Sequence, residues 1–270
     1  MPREGILNTQ KWRYCIVIIV FVLLVFIPPT TGGTSMKILS ETNQSKFLKI
    51  GHRGAMGYEP ENTIRSFQKA IELGVDVIEL DVRICKSGEV VVIHDDRVDG
   101  TTDGTGFVRD KTLEELKKLD AGKGEKIPLL TEALNAVQKS VMVDIDLKEN
   151  GTAGPVAEII RRYILERHWN YDLFIVSSFL SDELTVFTSL APNVRISLLG
   201  NPSPGLLLLG QKLSATSLSA HHGTITEDFV REAHGKKMEV FVWTVNHEED
   251  IARMKTLGVD GIISDFPNKL

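Results

Sequence analysis

From Phe47 onward, short β-branched runs alternate with amphipathic stretches of roughly ten to fifteen residues. That alternation predicts strands feeding helices around a parallel sheet. Residues 47–51, 75–82, 141–147, 173–177, 194–198, 215–219, 239–244 and 261–264 read as strands. Helices are predicted over 63–73, 113–119, 131–139, 155–167, 182–189, 227–234 and 248–257. Eight strands with helices between them fit a closed (β/α)8 barrel, which needs about 250 residues, and the chain has 270. Boundary signals agree: Asn62 as an N-cap, Thr112 and Glu115 in capping-box spacing, and Gly258 after the last helix.

One connection is too long for a plain βα unit. About 58 residues separate Val82 from Val141. They include an extended run, Glu89-Val-Val-Val-Ile-His94, and a Gly/Thr/Asp-rich stretch over 99–106. This predicts a strand or small hairpin followed by a loop over the top of the barrel, and long ordered loops commonly carry function. The run 206–209, within Pro204-Gly-Leu-Leu-Leu-Leu-Gly210, reads as a buried helix turn, with membrane or acyl-chain contact as the alternative.

Ahead of the body, Arg3, Lys11 and Arg13 precede an apolar run of about 14 residues from Tyr14 to Ile27, and Pro28, Pro29 and Thr30-Thr-Gly-Gly-Thr-Ser35 follow it. As a helix the run would reach roughly 21 Å, short of the ~30 Å hydrocarbon core but within the length of a signal-peptide core. Residues 1–35 are therefore expected to be a signal peptide or an uncleaved signal anchor with its linker, and 46–270 a catalytic domain. No Ala-x-Ala site follows the run, and Trp12 and Tyr14 suit a membrane interface, so both forms stay open. In either case the preceding positive residues put the body on the extracytoplasmic side, secreted or membrane-anchored through this segment.

Composition narrows the function classes. With 42% hydrophobic and 25% charged residues the chain is neither disordered, collagenous nor a multi-span membrane protein. A formal net charge of −5 offers no general attraction to nucleic acid. Cys15 and Cys85 are the only cysteines, one in the apolar run and one in the body, so neither a disulfide framework nor a Cys-type zinc site is expected.

The chemistry concentrates at predicted strand ends. Gly51-His-Arg-Gly54 ends the first strand, and in a (β/α)8 barrel the C-terminal strand ends face the active site. The second strand ends Glu79-Leu-Asp81, and a period of two puts both carboxylates inside the barrel. The third main strand repeats the device as Asp144-Ile-Asp146-Leu-Lys148. Carboxylates inside a core are costly unless a cation lies between them. Glu79, Asp81 and one third-strand aspartate thus form an oxygen-only ligand set, suited to Ca²⁺ or Mg²⁺ rather than zinc. His94 with Asp95 beside it completes a constellation of two imidazoles, an arginine, a lysine and a carboxylate-bound cation. Such parts handle a phosphate ester: cation and Arg53 neutralise oxygens while the imidazoles move protons.

Taken in order, Gly51-His-Arg-Gly54, Pro60-Glu-Asn-Thr63, Glu79-Leu-Asp81, His94-Asp95, Ile127-Pro-Leu-Leu130, the strand around Asp146 and Lys148, Val242-Trp-Thr-Val245 and Ser264-Asp-Phe-Pro267 resemble the glycerophosphodiester phosphodiesterase family over roughly residues 48–268. The resemblance implies a TIM barrel with a small insertion after the second strand that bears the second histidine. It implies that His52 and His94 are the general acid/base pair, Arg53 the phosphate clamp, Glu79 and Asp81 metal ligands, and Lys148 a phosphate contact. Asp146 stands where the family has Glu, so the third metal ligand is one methylene shorter and the metal is expected lower, water-bridged or more weakly held. Glu61 is near the site in the family and equally reads as a residue favouring the helix dipole. Trp243 is expected to wall the glycerol or head-group pocket, with core packing as the alternative, and Ser264 stands in for the family's Thr.

The activity so implied is metal-dependent hydrolysis of a small-molecule glycerophosphodiester to glycerol 3-phosphate and an alcohol through a cyclic phosphate. His52 is expected to take the proton from the attacking hydroxyl and His94 to protonate the leaving alcohol. Two other readings compete: a lysophospholipase D type activity on a lipid that keeps one acyl chain, and a catalytically silent glycerophosphate-binding protein.

Overall fold

The computed structural model describes residues 46–270. Eight parallel strands close on themselves: β1 (Leu48–Gly51), β2 (Val77–Ile84), β4 (Met142–Leu147), β5 (Phe174–Ser178), β6 (Arg195–Leu199), β7 (Ser217–His221), β8 (Glu239–Trp243) and β9 (Gly261–Ser264). Pairing of β1 with both β2 and β9 closes the ring. The predicted (β/α)8 barrel is the observed fold, with strand limits displaced by one or two residues.

The long connection begins as a hairpin, in which β3 (Val90–Val92) runs antiparallel to the end of β2. It then continues through two 3₁₀ turns and the short helix α2 (Leu113–Lys118). Val91, Ile93, Val98, Val108, Leu116 and Ile127 give this insertion its own small core. Thr112 and Glu115 form the expected reciprocal cap on α2. Because the insertion is packed, it holds His94 at the barrel rim as a fixed group.

The remaining helices are α1 (Ile64–Glu72), α3 (Leu130–Val137), α4 (Ala153–Arg167), α5 (Ser181–Leu190), α6 (Pro204–Leu213), α7 (Glu227–Gly235) and α8 (Glu248–Thr256). Their apolar faces pack on the outward strand residues such as Ile78, Leu80, Ile145, Val176, Leu198, Leu218, Val240 and Ile262. A smaller cluster of Leu48, Ile50, Val77, Ile175, Phe241 and Ile263 fills the barrel interior. At its floor Arg195 pairs with Glu239.

Two local expectations are corrected. Asn62 does not cap α1: Thr63 does, accepting from Ser66 N–H, while Asn62 takes a left-handed conformation (φ 57°) and turns inward. The 206–209 run is part of a full helix, α6, started by the Ser203 cap with Pro204 in its first turn. Leu206 and Leu207 are buried and Leu208 is exposed. Cys85 is buried and unpaired. The apolar run 14–27 and Cys15 lie outside the described residues, and among the described residues no helix is long and apolar enough to cross a membrane.

Candidate active site

The turn after β1 brings His52 and Arg53 to the rim. Arg53 has φ 48° and Gly54 φ 86°, so the chain doubles back sharply at the strand end. A Cβ on Gly54 would lie 2.4 Å from the Ser66 hydroxyl, and one on Gly51 2.5 Å from the Gly54 carbonyl oxygen. Only glycine admits this close approach of the turn to α1. The turn aims His52 and Arg53 into a cavity of about 160 Å³, also lined by Glu79, Asp81, His94, Asp144, Asp146, Lys148, Phe179 and Trp243.

Glu79, Asp81 and Asp146 each offer an oxygen within 4.8 Å of the others, and all three are buried. They share a wall because β2 and β4 are paired in register, Glu79 opposite Asp144 and Asp81 opposite Asp146. Lys148 donates to Asp146 Oδ2 at 3.0 Å and lies 3.4 Å from Asp81 Oδ1. Arg53 donates through Nη1 to Glu61 at 2.7 Å, and its Nε stands 3.3 Å from Asp81 Oδ2. Asn62 donates to Asp81 at 2.8 Å and accepts from the Asp81 backbone N–H. Glu79 accepts from the Arg53 backbone N–H at 2.9 Å.

Electrostatics separate these carboxyls. Burial, reinforced by Asp81 and Asp146, drives Glu79 well above the ordinary carboxyl range. Burial raises Asp146 too, against the pull of Lys148. Burial would also raise Asp81, but the positive charges of Lys148 and Arg53 prevail and hold it low. Asp144, one layer deeper, is pushed up to about 7, chiefly by burial. The Asp146 Oδ1 atom is buried with no donor among the described residues. Three clustered carboxylates, one of them with an unpartnered oxygen, fit an oxygen-liganded divalent cation.

Each histidine is oriented by an aspartate. His52 Nδ1 lies 2.6 Å from Asp265 Oδ1, and Asn246 donates to the other Asp265 oxygen at 2.7 Å. Asp265 is itself raised by burial, but His52 more than offsets this and keeps it low, hence ionised. An ionised acceptor puts the neutral imidazole's proton on Nδ1 and leaves Nε2 as a base. His94 Nδ1 lies 2.6 Å from Asp95 Oδ1. Arg83 donates to the His94 carbonyl at 2.9 Å and ties the insertion to β2. Burial pushes His94 below the ordinary imidazole range against the pull of Asp81.

Opposite the acids, Trp243 at the end of β8 forms an aromatic wall with Phe179 at 5.8 Å and His221 at 5.4 Å. Phe179 is 52% exposed, so the wall continues out of the cavity as an apolar shelf. The structure thus brings His52, Arg53, Glu79, Asp81, His94, Asp146, Lys148 and Trp243 around one cavity, with Glu61 on Arg53. Asp265, Asn246 and the inward role of Asn62 were not read from the sequence. Asp265 stands in a quoted motif, but its partner His52 is 213 residues away.

The sequence profile of the Glycerophosphoryl diester phosphodiesterase family matches residues 52–269. The chain belongs to this family. The glycerophosphodiester phosphodiesterase of Caldanaerobacter subterraneus is 41% identical over 237 residues, covering 83% of this chain and 96% of that protein. A human lysophospholipase D is 29% identical over 86% of this chain and 88% of its own length. Among solved structures, an Oleispira antarctica phosphodiesterase in complex with the product sn-glycerol-3-phosphate superposes with a TM-score of 0.75 at 29% identity, covering 82% of this chain and 93% of that one. As a glycerophosphodiester phosphodiesterase, the chain is an enzyme, and the silent-binding reading gives way.

Proposed function

We propose that hydrolysis in this family member is cation-dependent and proceeds through a cyclic phosphate, with His52 and His94 exchanging protons across the cavity. The observation that carries the reading is two aspartate-oriented imidazoles flanking a buried carboxylate triad. Glu79, Asp81 and Asp146 would hold Ca²⁺ or Mg²⁺, which supplies positive charge to the phosphate oxygens. Arg53 and Lys148 line the same cavity and add positive charge at the face that would receive the phosphate.

His52 Nε2 takes the proton of the substrate hydroxyl next to the phosphodiester, and that oxygen attacks phosphorus. The bond to the leaving alcohol breaks, and His94 gives its proton to the departing oxygen. Water then opens the cyclic ester: His94 takes a proton from water, the water oxygen attacks phosphorus, and His52 returns its proton to the glycerol oxygen. The more enclosed His52–Asp265 pair suits the base, because a buried carboxylate best supports the imidazolium formed there. His94 sits on the more open side. The negative charge of bound phosphodiester counters the burial that lowers its pKa.

The test is release of glycerol 3-phosphate from glycerophosphocholine with Ca²⁺, Mg²⁺ or chelator, in the wild type and in His52→Ala and His94→Ala. Turnover that needs a cation and both histidines supports the reading; full activity in chelator, or in both variants, overturns it. The Phe179–Trp243 shelf favours a second reading, a lysophospholipid whose acyl chain lies on it. Turnover of lysophosphatidylcholine against glycerophosphocholine decides between the two. We further infer that the apolar run 14–27 directs the body across a membrane, as a cleaved signal or an anchor. Cell fractionation followed by N-terminal sequencing of the mature chain tests this.

A further inference from the structure

We propose that Asp144 is a fourth carboxylate of the cation centre, set opposite Glu79 and one layer below Asp81 and Asp146, and acting on the bound ion through a bridging water. The inference rests on the cation reading above and concerns a residue which that reading leaves unused.

Asp144 precedes Asp146 by two residues on β4, so both side chains project into the barrel. It is 2% exposed and lines the same cavity as the triad. The Ser177 hydroxyl bonds its carboxyl group, yet Oδ1 finds no donor among the described residues. A buried anionic oxygen without a donor is expensive, and local packing gives no reason for it. Of the two strands beside β4, β5 brings Ser177 and β2 brings Glu79, which stands opposite Asp144. A buried carboxylate opposite a triad member, with one oxygen left without a donor on the shared cavity, is accounted for by the cation.

Distance decides how it acts. The triad oxygens lie within 4.8 Å of one another, and Asp144 falls outside that set. Two residues along a strand separate Asp144 from Asp146 by ~6.6 Å, while Glu79 stands across the β2–β4 pairing. A cation–oxygen contact of ~2–2.6 Å and a water–carboxylate hydrogen bond of ~2.7 Å together span the gap that direct ligation leaves. Outer groups of this kind typically change metal affinity by about 10–100-fold.

Calorimetric titration of Ca²⁺ and Mg²⁺ into the wild type, D144N and D146N, with melting temperatures taken with and without cation, tests the proposal. D146N is expected to lose most of the affinity. D144N should bind about 10–100-fold more weakly. Without cation D144N should melt no lower than the wild type, because a buried charge is gone, while its cation-induced rise in Tm shrinks. Should D144N not fold, Asp144→Ser repeats the test. Unchanged affinity in the Asp144 variants, with binding intact in the wild type, overturns the proposal and leaves the cation reading standing. A wild type that binds neither cation overturns both.

Discussion

The barrel interior has two unlike halves. Along β1, β2 and β4 it carries His52, Glu79, Asp81, Asp144 and Asp146, with Arg53 and Lys148 set among them. Along β5, β6 and β7 it carries Ser177, Ser197, Ser217 and Ser219. Both halves obey the same period of two, and a continuous register joins them: Asp146 is opposite Ser177, Ser177 opposite Ser197, and Ser197 opposite Ser217. The geometry is therefore shared and only the chemistry differs. In one half most charges are tied to another, as Lys148 is to Asp81 and Asp146, so most substitutions strand a partner. In the other, neutral hydroxyls leave room and few obligations.

The comparison breaks most sharply at the base. His52→Ala should lower kcat by about 10²–10⁴, the usual worth of a positioned general base, whereas Ser197→Ala should leave kcat within about twofold. Steady-state kinetics on glycerophosphocholine checks both. Next in size, Lys148→Met strands the buried carboxyls of Asp81 and Asp146 and should cost about 3–5 kcal/mol in urea unfolding, unless added cation replaces the lost charge.

A pH series sharpens the contrast further. Asp144 is pushed up to about 7 in the fold from an ordinary value of 3.8, so between these pH values the folded chain keeps a proton that the unfolded chain has released. The Asp144 contribution to the stability of the cation-free protein should be fullest below about pH 4 and be lost as pH rises toward 7, by an amount on the order of a few kcal/mol. Asp81 and Asp265, held low, act in the opposite sense at acid pH. Urea midpoints measured in chelator across that range should show the fall as the difference between the wild type and Asp144→Asn. The smallest effect belongs to the serine half. Ser197 and Ser217 hydroxyls are buried without partners among the described residues, so Ser197→Ala should be neutral or stabilising by up to ~1 kcal/mol in the same assay.

The sequence displays much of this because periodicity is local. Alternation within each strand placed Glu79 with Asp81, and Asp146 with Lys148, on the inner face before any contact was known. Strand limits moved by one or two residues, as expected where hydrogen bonding rather than composition ends a strand. The helix α6 was seen only as one turn, because four consecutive leucines show no amphipathic period; its signal was the Ser203–Pro204 start. Asn62 looked like a cap because its type suits one, but tertiary demand from Asp81 claimed its side chain. Asp265 and Asn246 were hidden for a different reason. Their importance lies in a contact with a residue at the other end of the domain, and no spacing rule reaches that far.

That contact carries a consequence for the order in which the protein comes into being. His52 belongs to the first strand and Asp265 follows the last, so ribosomal synthesis delivers the imidazole, the acids and the insertion long before the carboxylate that steadies the base. Until β9 docks between β8 and β1, the ring is open and His52 has neither its partner nor its wall. Nascent chains, or chains clipped before Asp265, thus carry the acids without the aspartate that orients His52, and on the proposed mechanism should hydrolyse little until that residue is in place. On that mechanism, turnover would report finished closure.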